Sequence, residues 1–167
     1  MHVKGEFEHD ECIQSLAIDL RRPQHCDEIS SIDQKDSCLY RLGFDMKSNE
    51  TCMKISSNTS KYRCLALINK DDRYCDELEP GKSRDFCYFR LSAVDPDPFL
   101  CRTIVENSTA DDCMVTVASK LANSKLCNEI INETKKATCM SETAKTKDLM
   151  NKLAEQFDDK NTEVKPQ

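Results

Sequence analysis

The sequence predicts an all-α protein made of tandem helical hairpins, each stapled by a disulfide, forming a short α-solenoid or a bundle. Three observations carry this. Eleven cysteines recur at a fixed beat through 167 residues. The apolar residues that follow every second cysteine keep the 3.6-residue period of a helix. The chain has 3 glycines, 5 prolines and no tryptophan, too few turn formers for a β-sandwich. Its size permits one domain or one repeat array. Hydrophobic residues are 38% of the chain, cysteines included, which is thin for a core and points to covalent reinforcement.

The cysteines stand at 12, 26, 38, 52, 64, 75, 87, 101, 113, 127 and 139, separated by 14, 12, 14, 12, 11, 12, 14, 12, 14 and 12 residues. Every second interval is 12, so a unit runs from one heading cysteine to the next. The array covers 1–145, with units at about 22–47, 48–70, 71–96, 97–122 and 123–145, preceded by a half unit, 8–21. A C-terminal capping helix and polar tail are expected over 146–167.

Within each unit the elements follow from pattern. Three residues after the heading cysteine stands Ile29, Ile55, Leu78, Ile104 or Ile130. After the second cysteine come Leu39, Leu65, Tyr88, Met114 or Met140, then, four residues after that cysteine, Leu42, Ile68, Leu91, Val117 or Thr143. Small residues often follow these (Gly43, Ser92, Ala118, Ala144), with Asn69 the exception. Cys12, with Ile13, Leu16 and Ala17, repeats the second half of a unit. Apolar positions spaced this way line one helix face, so each second half is a helix of about 12 residues. Ser60, Ser83 and Thr109, four residues before a second cysteine, are expected to cap its start. Ser48, Asp71, Asp97 and Asn123 stand four before a heading cysteine and cap a shorter helix of about two turns, with Pro98 at a favoured first position. Leu149, Met150, Leu153 and Phe157 recur at helical spacing and would cover the exposed end of the last unit, as solenoids require.

Two helices joined by a short turn lie antiparallel, and the 12-residue interval centres on that turn, at Ile32, Asn58, Gly81, Asn107 and Glu133. The two cysteines of a unit are then level and can meet the ~5.5–6 Å Cα separation of a disulfide. The expected pairs are Cys26–Cys38, Cys52–Cys64, Cys75–Cys87, Cys101–Cys113 and Cys127–Cys139. Pairing across the 14-residue interval would join cysteines at different heights. Cys12 is left over, so either the chain extends upstream with its partner or Cys12 bridges a second molecule as a dimer. A structural zinc site or a thioredoxin-like centre would need closely spaced cysteine pairs, which do not occur. The alternative that survives is a cytosolic bundle of reduced thiolates storing Cu(I) or a similar soft ion.

A formal net charge of −6 and the lack of a basic run argue against nucleic acid. No apolar stretch approaches the ~20 residues of a membrane span. The N-terminus has no apolar signal region, so an exported protein would have lost its signal or carried it upstream. Glycosylation sequons occur at Asn49, Asn58, Asn107 and Asn132, with Asn58 and Asn107 placed at hairpin tips, where a glycan has room. With the staples they favour an extracellular or cell-surface glycoprotein; the alternative is the cytoplasm of a hyperthermophile, where disulfides also persist.

No phosphate loop, nucleophile elbow or zinc-protease motif is present. His2, His9 and His25 are too scattered to form a ligand set. Asp71-Asp72 and Asp111-Asp112 read as carboxylates at helix N-termini, Asp158-Asp159 as a solvated tail, and Asp95-Pro96-Asp97-Pro98 as a rigid linker. No catalytic residue, cofactor site or metal site is expected.

The stretch Arg84-Asp85-Phe86-Cys87-Tyr88-Phe89-Arg90-Leu91, followed later by a cysteine leading Ile or Leu, resembles uncharacterised cysteine-rich helical-repeat proteins of archaea. The resemblance covers residues 10–145. It implies an exported or surface-exposed repeat protein and transfers no functional residue. The expectation is therefore a non-enzymatic binding or structural module whose partner is a protein or surface ligand.

Overall fold

A computed structural model describes residues 3–162, with side-chain surroundings over 8–156. Among these residues there is no strand. The long helices are α1 (Val3–Asp19), α2 (Ile32–Met46), α4 (Asn58–Asn69), α6 (Lys82–Val94), α8 (Asn107–Lys120) and α9 (Glu133–Thr162). Between them run short elements: a 3₁₀ helix (Pro23–Glu28), α3 (Asn49–Met53), α5 (Arg73–Asp76), α7 (Pro98–Thr103) and a second 3₁₀ helix (Ser124–Glu129). Each long helix packs on the long helix before and after it, the neighbour-to-neighbour arrangement of a solenoid.

The three short α-helices hold four to six residues, less than the two turns expected, while the two 3₁₀ helices fit two turns into six residues. One bond stops them. In all five units the N–H of the aliphatic residue three past the heading cysteine donates to that cysteine's carbonyl, as in Ile29 N to Cys26 O at 3.3 Å and Leu78 N to Cys75 O at 3.1 Å. This i→i+3 closure tightens the end and turns the aliphatic side chain inward, where all five are buried.

The long helices consequently start earlier than expected. Ser31, Ser57 and Glu106 are the N-caps, and the Asn132 side chain accepts from Lys135 N at 3.1 Å. Ser60, Ser83 and Thr109 lie inside the first turn, and Ile32, Asn58, Asn107 and Glu133 are first helical residues rather than turn centres. Gly81 precedes α6 at φ 131°, a backbone conformation that favours glycine, and offers no side-chain cap.

Four long helices end on a left-handed residue, Arg21, Lys47, Lys70 or Ala122. The next N–H reaches back to the carbonyl of Ala17, Gly43, Ala66 or Ala118. Counted from this cap, the small residue of the third long helix is Ala66, and Asn69 is no exception. The 11-residue interval is absorbed here: α4 has 12 residues where α2 has 15, close to one turn less, so the apolar face keeps its direction.

Five disulfides join each heading cysteine to the second cysteine of its unit, with Cα separations from 5.4 to 5.8 Å. They form the middle of the core, all ten cysteines being at most 1% exposed. Two of the bridges are seen seated against the preceding long helix at its small position. A Cβ on Gly43 would stand 2.8 Å from Cys52 Sγ and 3.1 Å from Cys64 Sγ. Ser92 Oγ lies 3.1 Å from Cys113 Sγ.

A second tie joins neighbouring units. Asp10, Asp36, Asp85 and Asp111 stand two residues before a second-half cysteine and are buried. Each carboxylate accepts two consecutive backbone N–H groups from the next unit's turn: Ser30 and Ser31, Ser56 and Ser57, Val105 and Glu106, Ile131 and Asn132. Asp111 is thus an inter-unit latch, not a carboxylate complementing its own helix dipole. The third long helix has Tyr62 at this place, and the turn it would meet contains Pro80, which has no N–H to give. The last has Ala137, after which no cysteine-headed unit follows in the sequence.

The stretch expected to cap the last unit continues α9 without a break, and Leu149, Met150 and Leu153 remain 46–59% exposed. Nothing in Lys145–Lys152 breaks the helix, and i,i+4 pairs such as Lys152–Asp148 support its extension. The side chain of Phe157 lies outside the described residues, as do those of His2, Asp158 and Asp159.

Candidate functional site

The long helices present a groove lined by residues one and four before their second cysteine. At these places stand Ser37 on α2, Ser60 and Arg63 on α4, Ser83 and Phe86 on α6, and Thr109 on α8. They share one helix face because three residues turn a helix by about 300°. The cysteine of each helix points into the core, so the residue before it is turned outward by the staple.

Two hollows meet at Arg63. One, about 650 Å³, is lined by Arg63, Lys82, Ser83, Phe86, Glu106, Ser108 and Thr109. The other, about 270 Å³, lies between α2 and α4 and includes Asp33, Ser37, Tyr40, Ser57 and Ser60. The Arg63 guanidinium carbon lies 5.6 Å from the Tyr40 ring centroid and 5.3 Å from that of Phe86. Three successive units therefore meet in one cation–aromatic stack. Phe86 is 41% exposed and packs at 6.1 Å against Phe89.

The charges along the groove differ in how far they are committed. The Thr109 hydroxyl and amide, with the Ser108 amide, hold the Glu106 carboxyl below the ordinary carboxylate range. Lys135 closes the far end by pairing with Asp112 at 2.7 Å and donating to Ser108. Arg63 and Lys82 form no ion pair among the described residues.

The remaining candidates are dispersed. Cys12 is an exposed free thiol on α1, beside Leu16 at 42% exposure. Asn49, Asn58, Asn107 and Asn132 are exposed; Asn49 accepts from Asn69, and Thr51 of its sequon is buried. His25 is bonded to Glu28 at 2.8 Å. Asp71 grips Arg73, whose side chain holds its carboxyl below the ordinary range, and its Oδ1 also accepts the Arg73 amide as Asp97 accepts the Phe99 amide and Asn123 the Lys125 amide. With ten thiols bridged in pairs, the thiolate set of a soft-metal store is missing. Among the described residues no group of three or more His, Cys, Asp and Glu is placed to hold an ion. No described helix is long and apolar enough to cross a membrane.

Sequence reasoning missed both the aspartate latches and the groove. The latches left a signal, aspartate two before the cysteine in four of six long helices. The groove left none, because Ser37, Arg63 and Phe86 share a position but no chemistry. Compared with protein-family models, curated proteins and solved structures, the chain matches none. The fold thus defines a disulfide-stapled helical-hairpin repeat protein, and the groove is its candidate site.

Proposed function

We propose that this protein is a non-enzymatic binding module working outside the cytoplasm, with the groove across α2, α4, α6 and α8 as its recognition surface. The observation that carries this is the meeting of two hollows around Arg63 on a frame stapled in every unit. A surface whose backbone is held covalently loses little freedom on binding, which favours affinity. The groove supplies hydroxyls, two rings and cations: groups that bind and orient. Five disulfides fit an oxidising setting.

The test is selection of random displayed peptides on the oxidised protein, with hydrogen exchange mapping where the winners bind. Protection along α4, α6 and the start of α8 is expected. Binders that protect only other faces, or none, would remove the groove from the proposal. Non-reducing mass tests the setting, since five bridges lower the mass by about 10 Da. A fully reduced native protein with bound copper would replace this reading by metal storage.

Two details belong to the same reading. Asn58 and Asn107, first residues of α4 and α8, are proposed glycan acceptors beside the groove, with Asn132 and Asn49 further candidates; glycosidase-sensitive mass after secretion from eukaryotic cells tests them. Exposed Cys12 is proposed to link two copies. A dimer that survives Cys12→Ser would refute that link.

A further inference from the structure

We propose that the groove takes an acidic segment of a partner protein, anchored by a carboxylate on Arg63, with apolar side chains beside that carboxylate packed on Phe86 and Tyr40. This rests on the reading of the protein as a binding module and names the chemistry of its partner.

The Arg63 guanidinium rests over two rings and has no acceptor of its own among the described residues. Tyr40 and Phe86 stand at 5.6 and 5.3 Å from the guanidinium carbon. No hydrogen-bond acceptor or ion-pair partner engages the group among the described residues. All five N–H donors of a guanidinium lie in its plane, and here no protein acceptor holds them. A carboxylate is the acceptor whose two oxygens fit that fork. Two rings beside the guanidinium restrict the rotamer freedom that normally weakens an exposed arginine as an anchor.

The surroundings favour the same ligand. Lys82 lines the same hollow and forms no ion pair among the described residues, and the Ser60 and Ser83 hydroxyls have no protein partner among them. Glu106, the carboxylate lining that hollow, is engaged by the amides of Ser108 and Thr109. Of the two carboxylates lining the adjoining hollow, Asp33 forms no ion pair with Arg63 and Asp36 is engaged by the Ser56 and Ser57 amides. Two uncommitted cations in a chain of net charge −6 make a local contrast that selects for acid. A polyanion such as a sulfated glycan requires a longer run of cations and has no use for the rings. A carboxylate with an apolar neighbour uses both.

The experiment is fluorescence polarisation with end-capped, labelled peptides of alternating glutamate and leucine, on the full oxidised chain. Matched peptides with glutamine for glutamate, and a heparin oligosaccharide, are the comparison ligands. Binding of the acidic peptide is expected to weaken about tenfold or more in Arg63→Gln, and comparably with the glutamine peptide. Arg63→Lys keeps the charge but loses the fork, and is expected to weaken binding several-fold. Phe86→Ala leaves the guanidinium but removes a ring that both restrains it and packs on leucine, with a several-fold loss expected for the acidic peptide. Melting temperatures of the variants establish that they are folded. Groove binding that Arg63→Gln leaves unchanged overturns the acidic anchor while the binding module stands. Heparin binding abolished by Arg63→Gln, with no peptide binding, overturns the peptide in favour of a glycan. If neither these peptides nor selected ones protect the groove, both readings fall together.

Discussion

Replacing Asp85 with alanine removes both acceptors that tie α6 to the turn opening α8. Asp85 is 3% exposed and accepts from Val105 N at 3.2 Å and Glu106 N at 3.0 Å. Bonds to a charged acceptor contribute about 1.5–3 kcal/mol each. Val105 and Glu106 themselves are exposed, so water can reach their amides once the carboxylate is gone, which puts the pair near the lower end, at about 2–4 kcal/mol. In the block of the core that reaches from Ala66 to Cys139, 1 kcal/mol moves the melting temperature by about 4–8 °C, so a fall of about 10–30 °C is expected by circular dichroism at pH 7. Asp85→Asn keeps one acceptor but sets an NH2 against a backbone N–H, and is expected to lose most of the same stability. Exchange of the Val105 and Glu106 amides must accelerate in both variants. A melting temperature within about 2 °C of the parent, or a lower one with those two amides still protected, would refute the latch.

Three further outcomes follow from the geometry. Gly43→Ala should destabilise by about 1–3 kcal/mol in denaturant unfolding despite alanine's better helix propensity, because its Cβ meets the Cys52–Cys64 sulfurs; an unchanged or raised midpoint would refute that fit. The Ser30 and then the Ser31 amide hold the Asp10 carboxyl below its ordinary value, so its contribution is present above about pH 4 and lost as pH falls through the lowered value; Asp10→Asn should flatten that part of the acid stability profile. Burial, aided by its 2.5 Å bond to Asp76, pushes Tyr88 up to about 12, so an absorbance titration should show a late phenol step there, and Tyr88→Phe should abolish it. The sign is that of a raised acid: the stability tied to neutral Tyr88 is full below about pH 10 and lost as pH rises towards 12.

The legible part of the fold was the part that repeats with apolar or sulfur chemistry. Ile29, Ile55, Leu78, Ile104 and Ile130 announce buried positions because their side chains have no other use, and the 12-residue interval announces a hairpin. Helix starts were misplaced by about a turn because Ser60, Ser83 and Thr109 have the right chemistry for a cap, while the true caps include Glu106 and no side chain at all at Gly81. Asp111 read as a carboxylate at its own helix N-terminus and Asp85 drew no reading, because a lone charged residue is usually solvated; only the amides of the next turn make burial tolerable. The site was illegible for a different reason. Tyr40, Arg63 and Phe86 come from three helices, and a cation resting over two rings exists only once the units are docked.

The place that lacks a latch has a mechanical consequence. Buried residues fall into two cores, one reaching from Ala17 to Leu65 and the other from Ala66 to Cys139, and they part on α4, the helix with Tyr62 in place of aspartate. Covalent staples lie within units and never across this line, so the array should open there first under heat or tension, each side melting as its own cooperative block. Tyr40, like Tyr62 and Tyr74, packs against both cores, and the stack of Arg63 with Tyr40 of α2 and Phe86 of α6 reaches across the parting. A ligand seated on that stack would brace the weakest joint of the molecule, and the two blocks would then melt as one.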